Sequence, residues 1–240
     1  MAPSGAPRSP LPPETWSFGP EAPGPGPEGP HPRTAARLEQ GRLLLAEAHL
    51  ARLLAAMPET APWLPSAFDA AHAALPRDGT GLVRLALTPG ARRLVVALEP
   101  LPPTPAPYRL RPLPHPLPPH PGGRAKGLDG PWSKAMLARA QAAGAEDALL
   151  HWPDGTLAET AIAAVVLVRG TEALVPPPGG RVLSLGERHL LPAWARDRGL
   201  QVREAAVRLE DVATGTLWCV NAVRGLWQAE CLPPLPPMKA

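Results

Sequence analysis

The chain has 240 residues, of which 45% are apolar and 19% charged, and its net charge is +3. This length suffices for one large domain or two small ones with real cores, and the apolar fraction excludes a fully disordered protein. Acidic and basic residues are interleaved without a basic run, which argues against nucleic-acid binding. The sequence shows no apolar stretch of transmembrane length and no secretory signal, so we expect a cytoplasmic protein without a membrane anchor.

Prolines divide the chain into segments. Eleven of the 37 prolines lie in residues 1–32, where five glycines join them, and this segment is predicted to be flexible because it cannot bury enough apolar surface to offset its ordering entropy. A second proline-rich run, at 105–121, is predicted to be a linker. The sequence thus predicts a small α+β domain at 33–104 and a larger α/β domain at 122–240.

In the first half, the composition of residues 43–57 predicts a helix that Pro58 ends. A second helix is predicted at 67–75. Two apolar or alternating runs, 81–87 and 92–98, flank a Thr-Pro-Gly turn and predict a β-hairpin.

The second half is predicted to be mixed α/β. Its predicted helices are 133–143 and 186–198, and its predicted strands are 147–151, 163–168, 173–175, 201–206 and 216–220.

Generic site motifs are absent from the sequence. It has no Walker loop, dinucleotide fingerprint, GxSxG motif or zinc-ligand spacing, so no metal is expected. The seven histidines are scattered and favour structural or solvated roles. Only three lysines occur, and Lys126 stands in a glycine-rich stretch before a predicted helix.

Several motifs follow Lys126 in a fixed order. Leu128 comes two residues later, then the string GAEDAL at 144–149, an Asp154-Gly155 turn and an Ala158-Glu159 pair. The order and spacing resemble the core of the class IV aminotransferase family, in which a K-x-L-N lysine precedes G-A-D-E-A-L, a D-G turn and a T-E or A-E pair. Within that family the chain is most similar to 4-amino-4-deoxychorismate lyases. AEAHLARL at 46–53 and RLEDVATGTLWCVNAVRG at 208–225 extend the resemblance over residues 34–229.

The resemblance implies a two-domain fold type IV (D-amino acid aminotransferase-like) enzyme of α/β (α+β) class, with a disordered proline-rich N-terminal segment. It also implies a homodimer that binds pyridoxal 5'-phosphate (PLP) and a small-molecule substrate. Lys126 would attach the cofactor through its amine. Glu159 would face the ring nitrogen, because an anion there favours the protonated ring.

The cofactor phosphate needs a cation and backbone N–H donors. By the same resemblance, Arg52 would supply the cation, and Gly186 and Glu187 would present N–H groups at a helix N-terminus. Asn221 and Ala222 would add a second set of donors. Arg84 and Arg224 are candidates for a substrate carboxylate, although a structural role is equally open to both.

The chain departs from the family pattern at several positions. Asp129 replaces the asparagine of K-x-L-N, and Ala163-Ala164 replaces a frequent S-N pair. Leu185-Gly186-Glu187-Arg188 stands where the family has G-I-T-R, and a glutamate near a phosphate is repulsive unless its side chain points away. Glu14-Thr15 is either a remnant of the E-T strand of the family or a coincidence.

Three functions fit these residues. The first is a lyase that converts 4-amino-4-deoxychorismate to 4-aminobenzoate and pyruvate for folate synthesis. The second is transamination of a branched-chain or D-amino acid with the same Lys126 and Glu159. The third is a degenerate, non-catalytic member that acts as an interaction protein.

Overall fold

The computed structural model describes residues 14–20, 31–88, 92–128 and 131–234. These residues form two compact units. The first unit contains the described residues up to Pro103 together with Lys126–Leu128, and the second contains 104–125 and the described residues from 131 onward.

The first unit is a five-stranded antiparallel sheet with two helices. The strand order is β1-β5-β4-β2-β3. The elements are β1 (Glu14–Phe18), β2 (Arg33–Glu39), β3 (Arg42–Leu43), α1 (Ala46–Ala56), a 3₁₀ turn (Pro58–Thr60), α2 (Leu64–Ala74), β4 (Thr80–Thr88) and β5 (Arg93–Pro100). The predicted hairpin is confirmed, since Leu85 pairs with Val96 in an antiparallel register. Alternate residues of β2 are buried, so one face of this sheet carries the core.

Strand β1 lies within the segment that the proline content predicted to be flexible. That prediction is wrong for residues 14–18, which pair with the edge of β5, and Glu14 and Thr15 open this strand. Trp16 and Phe18 pack partly buried against the core, and this apolar contact offsets the ordering entropy of the strand. The rest of the predicted flexible segment, 1–13 and 21–30, lies outside the described residues.

The second unit is an eight-stranded mixed sheet with order β11-β10-β9-β12-β13-β6-β7-β8. Its elements are β6 (Arg109–Pro114), α3 (Trp132–Ala142), β7 (Asp147–His151), β8 (Leu157–Thr160), β9 (Ala164–Arg169), β10 (Glu172–Val175), α4 (Leu185–His189), α5 (Leu191–Arg196), β11 (Gln201–Glu204), a 3₁₀ segment (Leu209–Thr214), β12 (Thr216–Asn221) and β13 (Gly225–Cys231). Helix α3 packs against β6 and β7, while α4 contacts β12 and α5 contacts β11.

Two predictions for this unit are wrong. Residues 109–114, predicted to belong to a linker, form β6, which pairs in parallel with β7 and β13 because Leu110 and Leu113 are buried. The single helix predicted at 186–198 is two helices that meet at Leu190. Pro192 accounts for the break, since it has no N–H and its ring collides with the carbonyl four residues earlier.

The mixed α/β class that the sequence predicts is confirmed. No helix in the described part of the chain combines the length and the apolarity that crossing a bilayer requires. Among the described residues, no three His, Cys, Asp or Glu side chains are arranged to hold a metal ion.

Candidate active site

Glu159 lies near the end of β8 as a buried carboxylate, 4% exposed. Its Oε1 accepts a hydrogen bond from the Val182 N–H at 2.8 Å. Burial raises the pKa of the Glu159 carboxyl, while His115, the Val182 N–H and the charge of Arg181 act in the opposite direction. The local fold thus holds one buried carboxylate in a fixed orientation.

His115, directly after β6, places its side chain beside this carboxylate. Its Nε2 lies 3.7 Å from Glu159 Oε1, and its side chain is fully buried. The imidazole ring packs against Trp152 at 4.3 Å and Trp132 at 5.1 Å between ring centroids. Its Nδ1 lies 3.1 Å from the N–H and 2.9 Å from the carbonyl oxygen of Leu117. The two indoles and the Leu117 backbone fix the ring so that Nε2 faces Glu159.

Glu187 does not direct its charge toward the backbone N–H groups of α4. Both of its carboxylate oxygens accept hydrogen bonds at 2.7 Å from the guanidinium of Arg181, which is 2% exposed. Arg181 also donates to the carbonyl oxygens of Pro176 and Pro177. From the sequence, Glu187 is expected to repel a nearby phosphate unless its side chain points away. The buried guanidinium of Arg181 neutralises the Glu187 carboxylate and directs it away from these N–H groups.

Gly186 brings α4 close to the end of β12. A Cβ at Gly186 would lie 2.4 Å from the carbonyl carbon of Asn221, so only glycine fits this approach. Ser184 caps the helix by accepting the Glu187 N–H at 3.3 Å. Two of the predicted phosphate-binding segments, at 186–187 and 221–222, are thus brought together in the second unit.

The Asn221 side chain organises the turn that contains Ala222. Its Oδ1 accepts the N–H groups of Val223 at 2.9 Å and Arg224 at 2.8 Å, and its Nδ2 donates to the Ile162 carbonyl at 3.3 Å. Any role of Asn221 and Ala222 in anion binding therefore falls to the backbone.

The predicted substrate residue Arg224 extends from this turn toward two aromatic rings. Its Nη1 donates to the Tyr108 hydroxyl at 3.3 Å. The guanidinium carbon lies 5.7 Å from the Tyr108 ring centroid and 5.6 Å from that of Trp227, within cation–π range. These contacts orient the Arg224 guanidinium within the second unit.

Lys126 belongs to the first unit, where its backbone is fixed. The Lys126 carbonyl accepts the Arg33 N–H and the Gly127 carbonyl accepts the His31 N–H, both at 3.1 Å. Gly127 has φ +98°, and a Cβ there would lie 2.3 Å from the His31 carbonyl oxygen. The glycine after Lys126 is therefore required for this close approach to the start of β2. Asp129, which departs from the family asparagine, lies outside the described residues.

Arg52 and Arg84 also lie in the first unit. Arg52 is half-buried on α1. Arg84 projects from β4, and its Nε lies 2.7 Å from Glu99 Oε1 across the β4–β5 pair. More than half of the Arg84 side chain is exposed, and the ion pair accounts for it as a surface residue of the sheet.

The comparisons with known proteins agree with these motifs. The model of the Amino-transferase class IV family matches residues 34–230. The chain belongs to the Amino-transferase class IV family. It is accordingly an enzyme that depends on PLP.

Solved structures with this fold include both lyases and aminotransferases. A proposed 4-amino-4-deoxychorismate lyase is 25% identical, with a TM-score of 0.69 over 88% of this chain and 86% of that one. The 4-amino-4-deoxychorismate lyase from Pseudomonas aeruginosa is 22% identical, with a TM-score of 0.69 over 92% of each chain. A hypothetical aminotransferase from Mycobacterium tuberculosis in its PLP-bound form is 21% identical, with a TM-score of 0.70 over 93% of this chain and 94% of that one. The comparison with curated proteins gave no significant match.

The described residues fit the cofactor of the family at two places. A protonated pyridine nitrogen needs a buried, oriented carboxylate, and Glu159 is one. A phosphate needs a close backbone cradle, and the contact of Gly186 with Asn221 leaves no room for a side chain.

Sequence reasoning missed His115 and Arg181, although they define the surroundings of Glu159 and Glu187. His115 stands in a proline-rich segment that was predicted to be a linker, and no spacing rule connects it with position 159. Arg181 follows a Pro-Pro-Pro-Gly-Gly run that has no helical or strand periodicity. The parallel pairing of β6 with β7, which no local pattern specifies, brings His115 to Glu159.

Proposed function

We propose that the chain is a PLP-dependent lyase that converts 4-amino-4-deoxychorismate to 4-aminobenzoate and pyruvate, a step of folate synthesis. The observation that carries the cofactor part of the proposal is Glu159, a buried carboxylate whose orientation is fixed by the Val182 N–H. The lyase part is supported by the motifs that follow Lys126 and by the lyase structure that is 25% identical over most of both chains.

Lys126 and Glu159 have the two central roles in this proposal. Lys126 would hold the cofactor through its Nζ, and once the substrate amine has displaced it, the same Nζ would take the proton from the amine-bearing carbon. Glu159 would keep a proton on the ring nitrogen by placing a carboxylate beside it. When bound, pyridoxal phosphate supplies an electron sink for the electron pair released at that carbon.

The phosphate would be held by backbone and by one cation. The N–H groups of Gly186, Asn221 and Ala222 are the proposed donors, whereas the Glu187 N–H already donates to Ser184 Oγ. The Arg181–Glu187 ion pair supports this assignment, because it removes an uncompensated negative charge from the segment. Arg52 is the proposed cation.

An arginine is the proposed partner of a substrate carboxylate. Arg224 is our candidate for a substrate carboxylate, since a guanidinium recognises carboxylates in a bidentate manner. We do not assign this role to Arg84, because Glu99 already engages it. The family resemblance further implies that the enzyme is a homodimer.

Transamination of a branched-chain or D-amino acid is the second candidate. It would use Lys126 and Glu159 in the same way and would return the amine to a 2-oxo acid. The similarity of the fold to that of the M. tuberculosis aminotransferase supports this second reaction. The two reactions differ in their products, since only the lyase releases pyruvate and 4-aminobenzoate from 4-amino-4-deoxychorismate.

The test combines absorption spectra with product analysis. Purified protein with added PLP is expected to show a visible band of covalently held cofactor that Lys126→Ala abolishes. Lys134→Ala is the matched control, because Lys134 is exposed on α3 and should keep the band. With 4-amino-4-deoxychorismate the wild type should then release 4-aminobenzoate and pyruvate in equal amounts. A band that survives Lys126→Ala contradicts the assigned lysine, and amine transfer to a 2-oxo acid without 4-aminobenzoate release contradicts the lyase.

A further inference from the structure

The Glu159 carboxyl is buried, and burial by itself favours its neutral form. A neutral carboxyl could not hold a proton on the ring nitrogen of the cofactor. Groups beside Glu159 must therefore favour its anionic form.

Two polar contacts of the Glu159 side chain fall on the same oxygen, Oε1. The Val182 N–H donates to Oε1 at 2.8 Å, and His115 Nε2 lies 3.7 Å from the same atom. The guanidinium of Arg181 is committed to Glu187 at 2.7 Å and acts on Glu159 only through its field. His115 is thus the ionisable side chain placed to act directly on this carboxylate.

The contacts of Nδ1 with Leu117 are compatible with a proton on Nε2 in both charge states of the ring. When the ring is neutral, Nδ1 can accept the Leu117 N–H at 3.1 Å, which puts the single proton on Nε2. When the ring is charged, Nδ1 can instead donate to the Leu117 carbonyl at 2.9 Å, and Nε2 again carries a proton. Because Oε1 already accepts from Val182, a donor at Nε2 is the complementary partner.

We infer that His115 is a positioning residue for the cofactor, which directs Nε2–H at Glu159 Oε1 and so keeps the carboxylate anionic, with Oε2 turned to the ring nitrogen. This inference rests on the proposed role of Glu159. The rings of Trp152 and Trp132 pack against the imidazole at a tilt and hold it in this orientation. His115 would act only through Glu159 and would not touch the substrate.

The test is a double-mutant cycle on PLP affinity, measured by titrating apoprotein with PLP and following absorbance. His115→Phe keeps an aromatic ring between the tryptophans but removes the donor, and it should weaken PLP binding about tenfold, as should Glu159→Gln. In the Glu159→Gln background, His115→Phe should change the affinity by less than about twofold, because its target is already neutral. His115→Gln, which restores an N–H donor, should recover most of the affinity.

The controls separate this inference from the proposed function. His120→Phe, at an exposed position of the same proline-rich segment, should bind PLP as the wild type does. Circular dichroism and melting temperature must show that each variant is folded, and His115→Leu, which also lacks a donor, replaces His115→Phe if that variant is not folded. Additive losses of about a hundredfold in the double variant, or unchanged affinity in His115→Phe, would overturn the inference while Lys126 still forms its band. Absence of that band in the wild type would instead overturn the proposed function, and the inference with it.

Discussion

Burial raises the pKa of two carboxyl groups of the second unit, Glu159 and Asp147. The two groups have different hydrogen-bonding and charged partners. Glu159 meets an ionisable ring and a backbone N–H. Asp147, at the start of β7, is fully buried, and its Oδ1 accepts the N–H groups of Ala148 at 2.7 Å and Ala161 at 3.1 Å. These bonds tie β7 to the turn after β8, so Asp147 serves the architecture of the site.

Asp147 gives a prediction for stability against pH. Burial raises the pKa of its carboxyl to about 6, although its hydrogen bonds act in the opposite direction. The folded state therefore binds this proton more tightly than the unfolded state. The contribution of Asp147 to the free energy of unfolding should fall as pH rises from about 4 to about 6, by about 3 kcal/mol for a shift of this size, and stay low above it.

The variant Asp147→Asn should lose this dependence, because the amide oxygen can still accept both N–H groups while no charge is buried. Urea unfolding of wild type and variant at pH 4.5 to 7.5 measures the difference, which should grow in favour of the variant as pH rises. Asp197→Asn, at an exposed position, should follow the wild-type profile. Parallel profiles for wild type and Asp147→Asn would contradict a raised pKa.

At the scale of elements, α4 can approach β12 closely because position 186 is a glycine, which has no side chain. Helix α4 has only five residues and cannot shift independently of the strand that it touches. A Cβ at Gly186 would meet the backbone of Asn221 at 2.4 Å, and backbone cannot rotate away as a side chain can. The two segments proposed to bind phosphate thus depend on each other for their position.

The variant Gly186→Ala should therefore separate α4 from the end of β12. We expect a loss of about 1–3 kcal/mol in the free energy of unfolding from overpacking, together with weaker PLP binding. Denaturant unfolding and PLP titration measure the two effects. Gly179→Ala is the matched control, since a Cβ there meets no atom within 4 Å. Equal behaviour of the two variants would show that the α4–β12 contact is loose.

At the scale of the whole molecule, the chain forms two units, each with its own hydrophobic core. Fully buried leucines of the first core include Leu38, Leu85 and Leu98, and the second contains Leu110 and Leu149. The proposed cofactor residues are distributed over both units, with Lys126 and Arg52 in the first and Glu159 in the second. A cofactor that binds only the folded protein should stabilise it against unfolding.

Addition of PLP should raise the melting temperature. A ligand that binds only the folded state at a free concentration a hundredfold above its Kd stabilises by about 2.7 kcal/mol, which corresponds to a rise of about 5–10 °C in a protein of this size. Differential scanning calorimetry with and without PLP makes the measurement. Pyridoxal without its phosphate should give a smaller rise at the same concentration, and an equal rise would argue against the proposed phosphate cradle.

The sequence by itself determined the local elements and the family. The β4–β5 hairpin, helix α3 and strand β7 were predicted within a few residues, because apolar periodicity and breakers such as Gly144 are local signals. The motifs after Lys126 identified the family and its cofactor, since their order along the chain is itself the signal. The roles given to Lys126, Glu159, Arg52 and the phosphate segments stay predictions.

Only the tertiary structure decided which groups meet across long stretches of chain. Strands β1 and β6 could not be predicted, because their segments are rich in proline, which is unfavourable in strands. They form through their pairing with β5 and β7, and this tertiary context overrides the local composition. The ion pair of Arg181 with Glu187 is local, but it joins a loop residue to a helix that begins between the two residues. The approach of His115 to Glu159 joins two distant segments of the chain. Such contacts depend on strand order in the sheet, which is set by the burial of the whole core and leaves no local pattern in the sequence.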